Sequence, residues 1–136
     1  MDEKKELLRV EHLKKYFPTS RGMLLAVDDI TFSLKAGETL GVVGESGCGK
    51  STLGRAILRL HEPTAGKVIF EGEDILTYDK KKMKQKRSDM QIIFQDPYSS
   101  LNPRMTVSQA IAAPLLIQGI YRSGEKDKIQ KKVDEM

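Results

Sequence analysis

The order of apolar and polar residues predicts a run of β-strands in the first part of the chain. Residues 7–13 and 24–27 are rich in apolar side chains, and residues 30–34 alternate apolar and polar side chains with a period of two. That period is typical of a half-buried strand. Residues 39–43 form a short apolar run that ends in glycine, which predicts a buried strand.

Beyond residue 43 the pattern predicts helices that alternate with short strands. Leu53, Ile57 and Leu60 recur at helical spacing. The predicted elements are a helix over 50–60, a strand over 68–70, a helix over 80–87, a strand over 90–94, and helices that begin at Thr106 and near Ser123. Thr106 and Gln109 have the spacing of a capping box, and Pro114 is expected to kink or end the helix that follows. The mixture predicts an α/β fold.

A glycine-rich loop lies between the strand predicted over 39–43 and the helix predicted from Lys50. It matches the Walker A pattern G-x-x-x-x-G-K-[ST]. Its residues are Gly44, Glu45, Ser46, Gly47, Cys48, Gly49, Lys50, Ser51 and Thr52. Glycine permits positive φ angles, so that successive backbone amides can surround an anion, and the helix start adds its positive dipole end. The motif predicts that Lys50 contacts the β- and γ-phosphates of ATP and that the Ser51 hydroxyl binds Mg²⁺.

Composition and charge limit the other classes of function. The chain has 136 residues, a formal net charge of +4 and one cysteine, Cys48, so it has no intrachain disulfide. A reducing compartment is the expected environment. No apolar run approaches the roughly 20 residues of a membrane helix. Six of the eight residues 80–87 are basic, but no aromatic residue interleaves them; we therefore expect a solvated helix face and no nucleic-acid partner.

A Walker A loop alone is compatible with kinases, GTPases, helicases and transport ATPases. One reading of residues 92–96 is a Walker B strand with Asp96 as a second metal ligand. Against it, Gln95 occupies the strand end and Asp96 precedes a proline. These two features weigh against the Walker B reading of Asp96.

Residues 44–52, the run Pro63-Thr64-Ala65-Gly66, Gly72 and the segment 91–103 together resemble the N-terminal part of an ABC transporter ATP-binding subunit. Residues 93–107 more specifically resemble the oligopeptide/dipeptide (and nickel) importer branch, and the resemblance extends from about residue 7 to residue 119. It implies an incomplete ABC-type nucleotide-binding domain of the P-loop NTPase fold, with N-terminal antiparallel strands. We expect its nucleotide-binding core over 1–95, and the Q-loop and the start of the helical subdomain over 96–136.

The same resemblance implies roles for individual residues and two cofactors, ATP and Mg²⁺. Gln95 corresponds to the Q-loop glutamine. Its side-chain amide would bind Mg²⁺, as Ser51 would, and would also bind the attacking water. Phe17 is the candidate for stacking on adenine, with Tyr16 as the alternative. The signature motif, a Walker B Asp followed by a catalytic Glu and a switch His do not occur in this sequence. We therefore expect the N-terminal portion of a longer subunit, with no catalytic residue of its own and hydrolysis near background.

The resemblance also implies partners and a location. The expected partners are a second ATP-binding subunit in a head-to-tail dimer, two membrane permease subunits at the Q-loop and helical region, and indirectly a solute-binding protein. The expected location is cytoplasmic, on the inner face of the cell membrane through the permeases. The alternatives are a non-transport ABC ATPase, a small-molecule kinase and an inactive ATP-binding fragment.

Overall fold

A computed structural model describes residues 5–136 of the chain. The chain divides into two compact units, the first ending at Asp79 and the second running from Lys80 to Met136. The functional boundary expected after Gln95 does not coincide with this boundary between compact units. The functional boundary stays a prediction.

The first unit contains a four-stranded antiparallel sheet. Its strands are β1 (Glu6–Thr19), β2 (Gly22–Lys35), β3 (Ala65–Phe70) and β4 (Glu73–Asp74), in the spatial order β2-β1-β3-β4. The hairpin between β1 and β2 closes with Thr19 opposite Gly22. The two apolar runs at 24–27 and 30–34 thus belong to one continuous strand, and the predicted N-terminal antiparallel strands are confirmed.

Helix α1 (Lys50–Ile57) packs against β1 and β2. The core beside it consists of apolar side chains that are fully or almost fully buried. They include Val10, Leu13, Val27, Ala56, Val68 and Ile75. Burying a side chain of the size of Leu13 contributes about 1.5–3 kcal/mol. This packing fixes the start of α1 relative to β2, and the glycine-rich loop lies at that start.

Arg59 connects the end of α1 to the 3₁₀ turn Ile75–Thr77. Its Nη1 donates hydrogen bonds to the carbonyl oxygens of Ile75 at 3.0 Å and Tyr78 at 2.7 Å, and its Nε lies 3.0 Å from Glu62 Oε2. Only 20% of the Arg59 side chain is exposed. A charged donor that joins two chain segments in this way is expected to stabilise the unit.

We expect Arg59→Ala to lower the free energy of unfolding by about 2–4 kcal/mol, since two carbonyl oxygens lose a charged donor. The control is Arg21→Ala, which removes the same charge from an exposed hairpin residue and should change stability by less than about 0.5 kcal/mol. Urea titration followed by circular dichroism measures both variants. Equal stability of the two would contradict the structural role of Arg59.

The second unit contains four α-helices and a 3₁₀ turn, Arg87–Asp89. The α-helices are α2 (Lys80–Lys86), α3 (Pro97–Ser100), α4 (Val107–Ile117) and α5 (Lys126–Asp134). The capping box of Thr106 and Gln109 is confirmed, with both reciprocal hydrogen bonds present. Helix α4 continues past Pro114 to Ile117, so Pro114 does not end it; the next turn is maintained by Gln118 N donating to the Pro114 carbonyl oxygen at 2.9 Å. Within residues 5–136, no helix has the length and apolarity to cross a membrane.

Two strand predictions are wrong. Residues 39–43 and 90–94 have no regular secondary structure, and Val43 and Ile93 are 96% and 94% exposed. A strand requires a neighbour for its backbone N–H and C=O groups, and the sheet described above pairs neither segment. An apolar run thus indicates a tendency to form a strand, but the sequence pattern does not supply the partner.

Candidate functional site

The glycine-rich loop turns directly into α1. Gly49 is the N-cap residue of that helix, with φ of +96°, and Gly47 has φ of +79°. L-residues rarely adopt such angles, which explains why glycine stands at both positions. The turn presents the free backbone N–H groups at the start of α1 toward the loop.

Gly49 also lies against the backbone of β2. A Cβ atom added at Gly49 would lie 2.0 Å from the carbonyl oxygen of Ala26, well inside van der Waals contact, whereas one added at Gly47 would meet no atom within 4 Å. The close approach at Gly49 therefore joins the loop to the sheet. Packing as well as backbone conformation fixes where α1 begins.

The Lys50 side chain folds back onto its own loop. Its ammonium group donates hydrogen bonds to the carbonyl oxygens of Gly44 at 2.7 Å and Glu45 at 2.6 Å, and Nζ lies 3.4 Å from Cys48 Sγ. These contacts place the positive charge inside the loop, next to two of its carbonyl oxygens. A bound phosphate would replace the two carbonyl oxygens as the acceptor of Lys50. Such an arrangement of amides, helix dipole and lysine is suited to binding anions.

A cleft of about 300 Å³, here called the loop cleft, lies beside the loop. Cys48, Gly49 and Lys50 line one part of it. The remaining lining residues are mostly apolar, with one acidic residue among them: Leu25, Ala26, Val27, Asp28, Ile30, Val42, Val43 and Leu53. The loop and strand β2 thus line an open space whose one basic residue is Lys50 and whose other lining residues are mainly apolar.

The two aromatic candidates at the end of β1 have different surroundings. The Phe17 ring meets His61 edge to face at a centroid distance of 5.7 Å, and Lys15 Nζ lies 4.7 Å from its centroid. The Tyr16 hydroxyl donates a hydrogen bond to Asp28, which lines the loop cleft. This hydrogen bond, with smaller contributions from desolvation and the negative charges of Asp28 and Asp29, raises the pKa of Tyr16. Stacking of Phe17 on adenine stays a prediction.

The remaining predicted residues separate into two groups. Ser51 and Thr52 lie in the first turn of α1, with the Ser51 side chain exposed, next to Lys50. Gln95 is an exposed residue of the second unit, and its role stays a prediction. The neighbouring Asp96 caps helix α3, because its carboxylate accepts hydrogen bonds from the backbone N–H groups of Tyr98 at 3.0 Å and Ser99 at 3.4 Å. This capping role explains an acid at that position without a metal.

The pair formed by Tyr16 and Asp28 was not predicted from the sequence. The only signal was an acidic dipeptide, Asp28-Asp29, inside an otherwise apolar and alternating strand. A strand pattern assigns such residues to the solvent face but does not identify the side chain that lies across from them. The register of β1 and β2 decides that.

The chain is similar in sequence to ABC transporter proteins. The sequence profile of the ABC transporter family matches residues 27–136. Over 127 residues the chain is 51% identical to the oligopeptide transport ATP-binding protein OppF of Bacillus subtilis (strain 168). These residues are 93% of this chain and 41% of that protein. Over 138 residues it is 44% identical to the oligopeptide transport ATP-binding protein AppF of the same organism, covering 96% of this chain and 41% of that protein. The chain thus spans about two-fifths of the length of these relatives.

The fold is also that of a known ATP-binding cassette. The structure superimposes on the ATP-binding cassette MJ0796, solved as a dimer in a post-hydrolysis state with ADP and Pi, with a TM-score of 0.76 at 22% identity, over 95% of this chain and 55% of that one. The predicted fold class, an incomplete ABC-type cassette, is therefore confirmed, and the structure describes part of such a cassette. With a family match over residues 27–136 and oligopeptide transport ATP-binding proteins as its relatives, the chain belongs to the ABC transporter family.

Proposed function

We propose that this chain is the ATP-binding portion of a peptide-type ABC importer subunit, which binds Mg-ATP to energise the transport of oligopeptides or dipeptides across the cytoplasmic membrane. The observation that supports this most strongly is the position of Lys50. Its ammonium lies inside a glycine-rich loop at the start of α1, 2.7 Å from Gly44 O and 2.6 Å from Glu45 O. The peptide-import relatives, at 51% and 44% identity, supply the substrate class.

Binding of the nucleotide would proceed by exchange of acceptors. The phosphate oxygens replace the carbonyl oxygens of Gly44 and Glu45 as partners of Lys50, and the backbone N–H groups of the loop and of the first turn of α1 donate to the same phosphates. The Ser51 hydroxyl contributes one ligand to Mg²⁺, and Gln95 contributes another. Phe17 offers an aromatic face to the adenine.

The chain is proposed to hold ATP rather than to hydrolyse it by itself. Lys50, Ser51 and Gln95 position phosphates and metal, but none of them is a general base for the attacking water. In the proposed full-length subunit, ATP closes a head-to-tail dimer with a second ATP-binding subunit, and hydrolysis then resets it.

The second unit has a surface suited to the proposed permease partners. Helix α4 is apolar around its circumference, yet none of its residues is buried; Val107 is 78% exposed and Ile117 is 64% exposed. A helix of that composition is normally covered by other protein. We propose that the region from Gln95 through α4 contacts two permease subunits, which would retain the protein on the cytoplasmic face of the membrane and link it indirectly to a solute-binding protein.

Gln95→Ala tests the coupling part of this proposal. We expect the variant to bind ATP with unchanged affinity, because the loop residues are untouched. In the intact transporter it should reduce uptake of a radiolabelled oligopeptide at least about tenfold, as expected when a group that positions the attacking water is lost. Gln91→Ala, an exposed glutamine four residues earlier, is the control and should retain uptake. Full uptake by the Gln95 variant would contradict the coupling role.

A further inference from the structure

The positive charge of the chain is concentrated in the second unit. Residues 80–136 contain twelve basic and six acidic residues, whereas residues 1–79 contain eleven basic and thirteen acidic ones. Half of the basic residues of the second unit lie within residues 80–87, which are flanked by Asp79 and Asp89 but contain no acidic residue. Such an asymmetry of charge between two parts of a chain indicates an anionic partner, either a membrane or a nucleic acid.

Helix α2 presents this charge on exposed side chains. Met83 is buried, at 5% exposure, and so attaches the helix to its unit. Lys80, Lys81 and Lys84 are exposed. Their spacing of three and four residues makes them neighbours on the helix surface. These three lysines are here called the basic face.

The basic face is electrostatically unfavourable for the helix that carries it. The first turn of α2 contains lysines and no acidic residue, although the positive end of the helix dipole favours acidic side chains at that place. Lys84 also has a like charge four residues before it, at Lys80, and three residues before it, at Lys81, and such pairs repel each other. An anion that covers the basic face would relieve both repulsions.

Helix α5 of the same unit also contains several lysines, but they are arranged differently. Lys128 pairs with Glu125 at 2.7 Å. Lys132 pairs with Glu135 at 3.2 Å. The first turn of α5 contains Asp127 and the last turn contains lysines, which is the order that the helix dipole favours. The arrangement in α2 is therefore not a general property of the surface of this unit.

Anionic phospholipid headgroups are the partner that the basic face fits. They form a broad negative surface, which several side chains on one side of a short helix can contact together. Nucleic acid is disfavoured, because no aromatic residue interleaves the lysines to stack on bases. The same unit contains the exposed apolar helix α4, for which membrane permeases are the proposed partners.

We propose that the basic face of α2 binds anionic phospholipid headgroups of the membrane in which the permeases lie. This inference goes beyond nucleotide binding, and it rests on the proposed function only for the location at the membrane. The contact is peripheral, with the three ammonium groups at the level of the headgroup phosphates. It adds an electrostatic attachment to the attachment through the permeases, as polybasic segments do for other peripheral proteins.

Co-sedimentation of the chain with vesicles measures this contact. One set of vesicles contains phosphatidylcholine alone, and the other contains phosphatidylcholine and phosphatidylglycerol in equal amounts. We expect the chain to bind the anionic vesicles about a hundredfold more tightly than the neutral ones at about 0.1 M salt, since each lysine near an anionic surface contributes about fivefold. This preference should disappear at about 1 M salt, where the Debye length is only about 3 Å.

The triple variant Lys80→Gln, Lys81→Gln, Lys84→Gln removes the basic face. We expect it to reduce the preference for anionic vesicles at least about tenfold. Glutamine is a good helix former, so α2 is preserved, and circular dichroism verifies the fold. The affinity for Mg-ATP should not change, because the loop residues are untouched.

The matched control is the triple variant Lys128→Gln, Lys131→Gln, Lys132→Gln in helix α5. It changes the net charge of the same unit equally, at lysines that are also exposed. Because two of these lysines already pair with glutamates, we expect it to change the preference for anionic vesicles by less than about threefold.

Three results would overturn the inference. The first is a chain that binds Mg-ATP but not the anionic vesicles; the proposed function would then stand without the lipid contact. The second is equal binding to neutral and anionic vesicles, or an equal loss in the two triple variants, since either would leave no specific role for the basic face. The third is tighter binding to a double-stranded DNA oligomer than to the anionic vesicles, lost in the α2 variant, which would make nucleic acid the partner. A chain that binds the anionic vesicles through α2 but does not bind Mg-ATP would support the lipid contact and contradict the proposed nucleotide site.

Discussion

Replacement of Lys50 by alanine is expected to eliminate measurable ATP binding while the chain stays folded. Lys50 is the only cationic side chain of residues 44–52, and its ammonium already lies within hydrogen-bond distance of two loop carbonyl oxygens. The variant loses the charge-assisted hydrogen bonds that Lys50 is proposed to donate to phosphate oxygens. This loss should weaken ATP binding by about a hundredfold or more. Alanine is a good helix former, so the start of α1 is preserved.

Calorimetry with Mg-ATP measures this effect, and circular dichroism verifies the fold. Lys67→Ala is the matched control, because it removes the same charge from an exposed position on β3 and should leave ATP affinity within about twofold, as expected for a screened and distant charge. ATP affinity that is unchanged in a folded Lys50 variant would show that the loop is not the phosphate site.

Gly49→Ala is expected to disrupt the loop more than any other single methyl group added there. The new Cβ would lie 2.0 Å from the Ala26 carbonyl oxygen, a backbone atom of β2 that cannot rotate away, and the residue would also have to keep φ of +96°. The strain of the backbone conformation costs about 1–3 kcal/mol. Relief of the overlap requires the loop to separate from β2, so we expect a total loss of about 3 kcal/mol or more in the free energy of unfolding.

Gly47→Ala separates the two causes. Gly47 has a positive φ of +79° but no atom within 4 Å of an added Cβ, so only the conformational strain of about 1 kcal/mol applies. The unfolding free energies of the two variants, measured in urea, should differ by about 2 kcal/mol. The Gly49 variant should be the less stable of the two both with and without nucleotide. Equal unfolding free energies would mean that the contact between Gly49 and β2 contributes nothing.

The parts of this fold that depend on neighbouring residues were predictable from the sequence. The capping box at Thr106 and Gln109 and the start of α1 at Lys50 follow from spacing within a few residues, and both are present. The glycine-rich loop is also local, because glycine at positions 47 and 49 permits the φ angles that the turn requires. The first strand of the hairpin was predictable. The second was predicted as two separate apolar runs, 24–27 and 30–34, whereas the structure has one continuous β2.

The features that depend on distant residues were not predictable. Residues 39–43 and 90–94 have the apolar pattern of strands, yet pairing requires a partner that the pattern does not specify. The contact between Tyr16 and Asp28 depends on the register and bulges of β1 and β2, and the contact of Phe17 with His61 joins residues from β1 and from the segment after α1. The glycine-rich loop was therefore predictable from the sequence, whereas the contacts of Tyr16 with Asp28 and of Phe17 with His61 were not.

The loop at residues 44–52 is proposed to bind the phosphates of ATP. The most direct measurement is calorimetric titration of the unmodified chain with Mg-ATP and, in parallel, with adenosine. Because Lys50 and the loop amides are proposed to contact phosphate, we expect saturable binding of Mg-ATP and at least about a hundredfold weaker binding of adenosine, as expected when charge-assisted hydrogen bonds are lost. Equal affinity for the two ligands, or no binding of Mg-ATP by the folded chain, would contradict it.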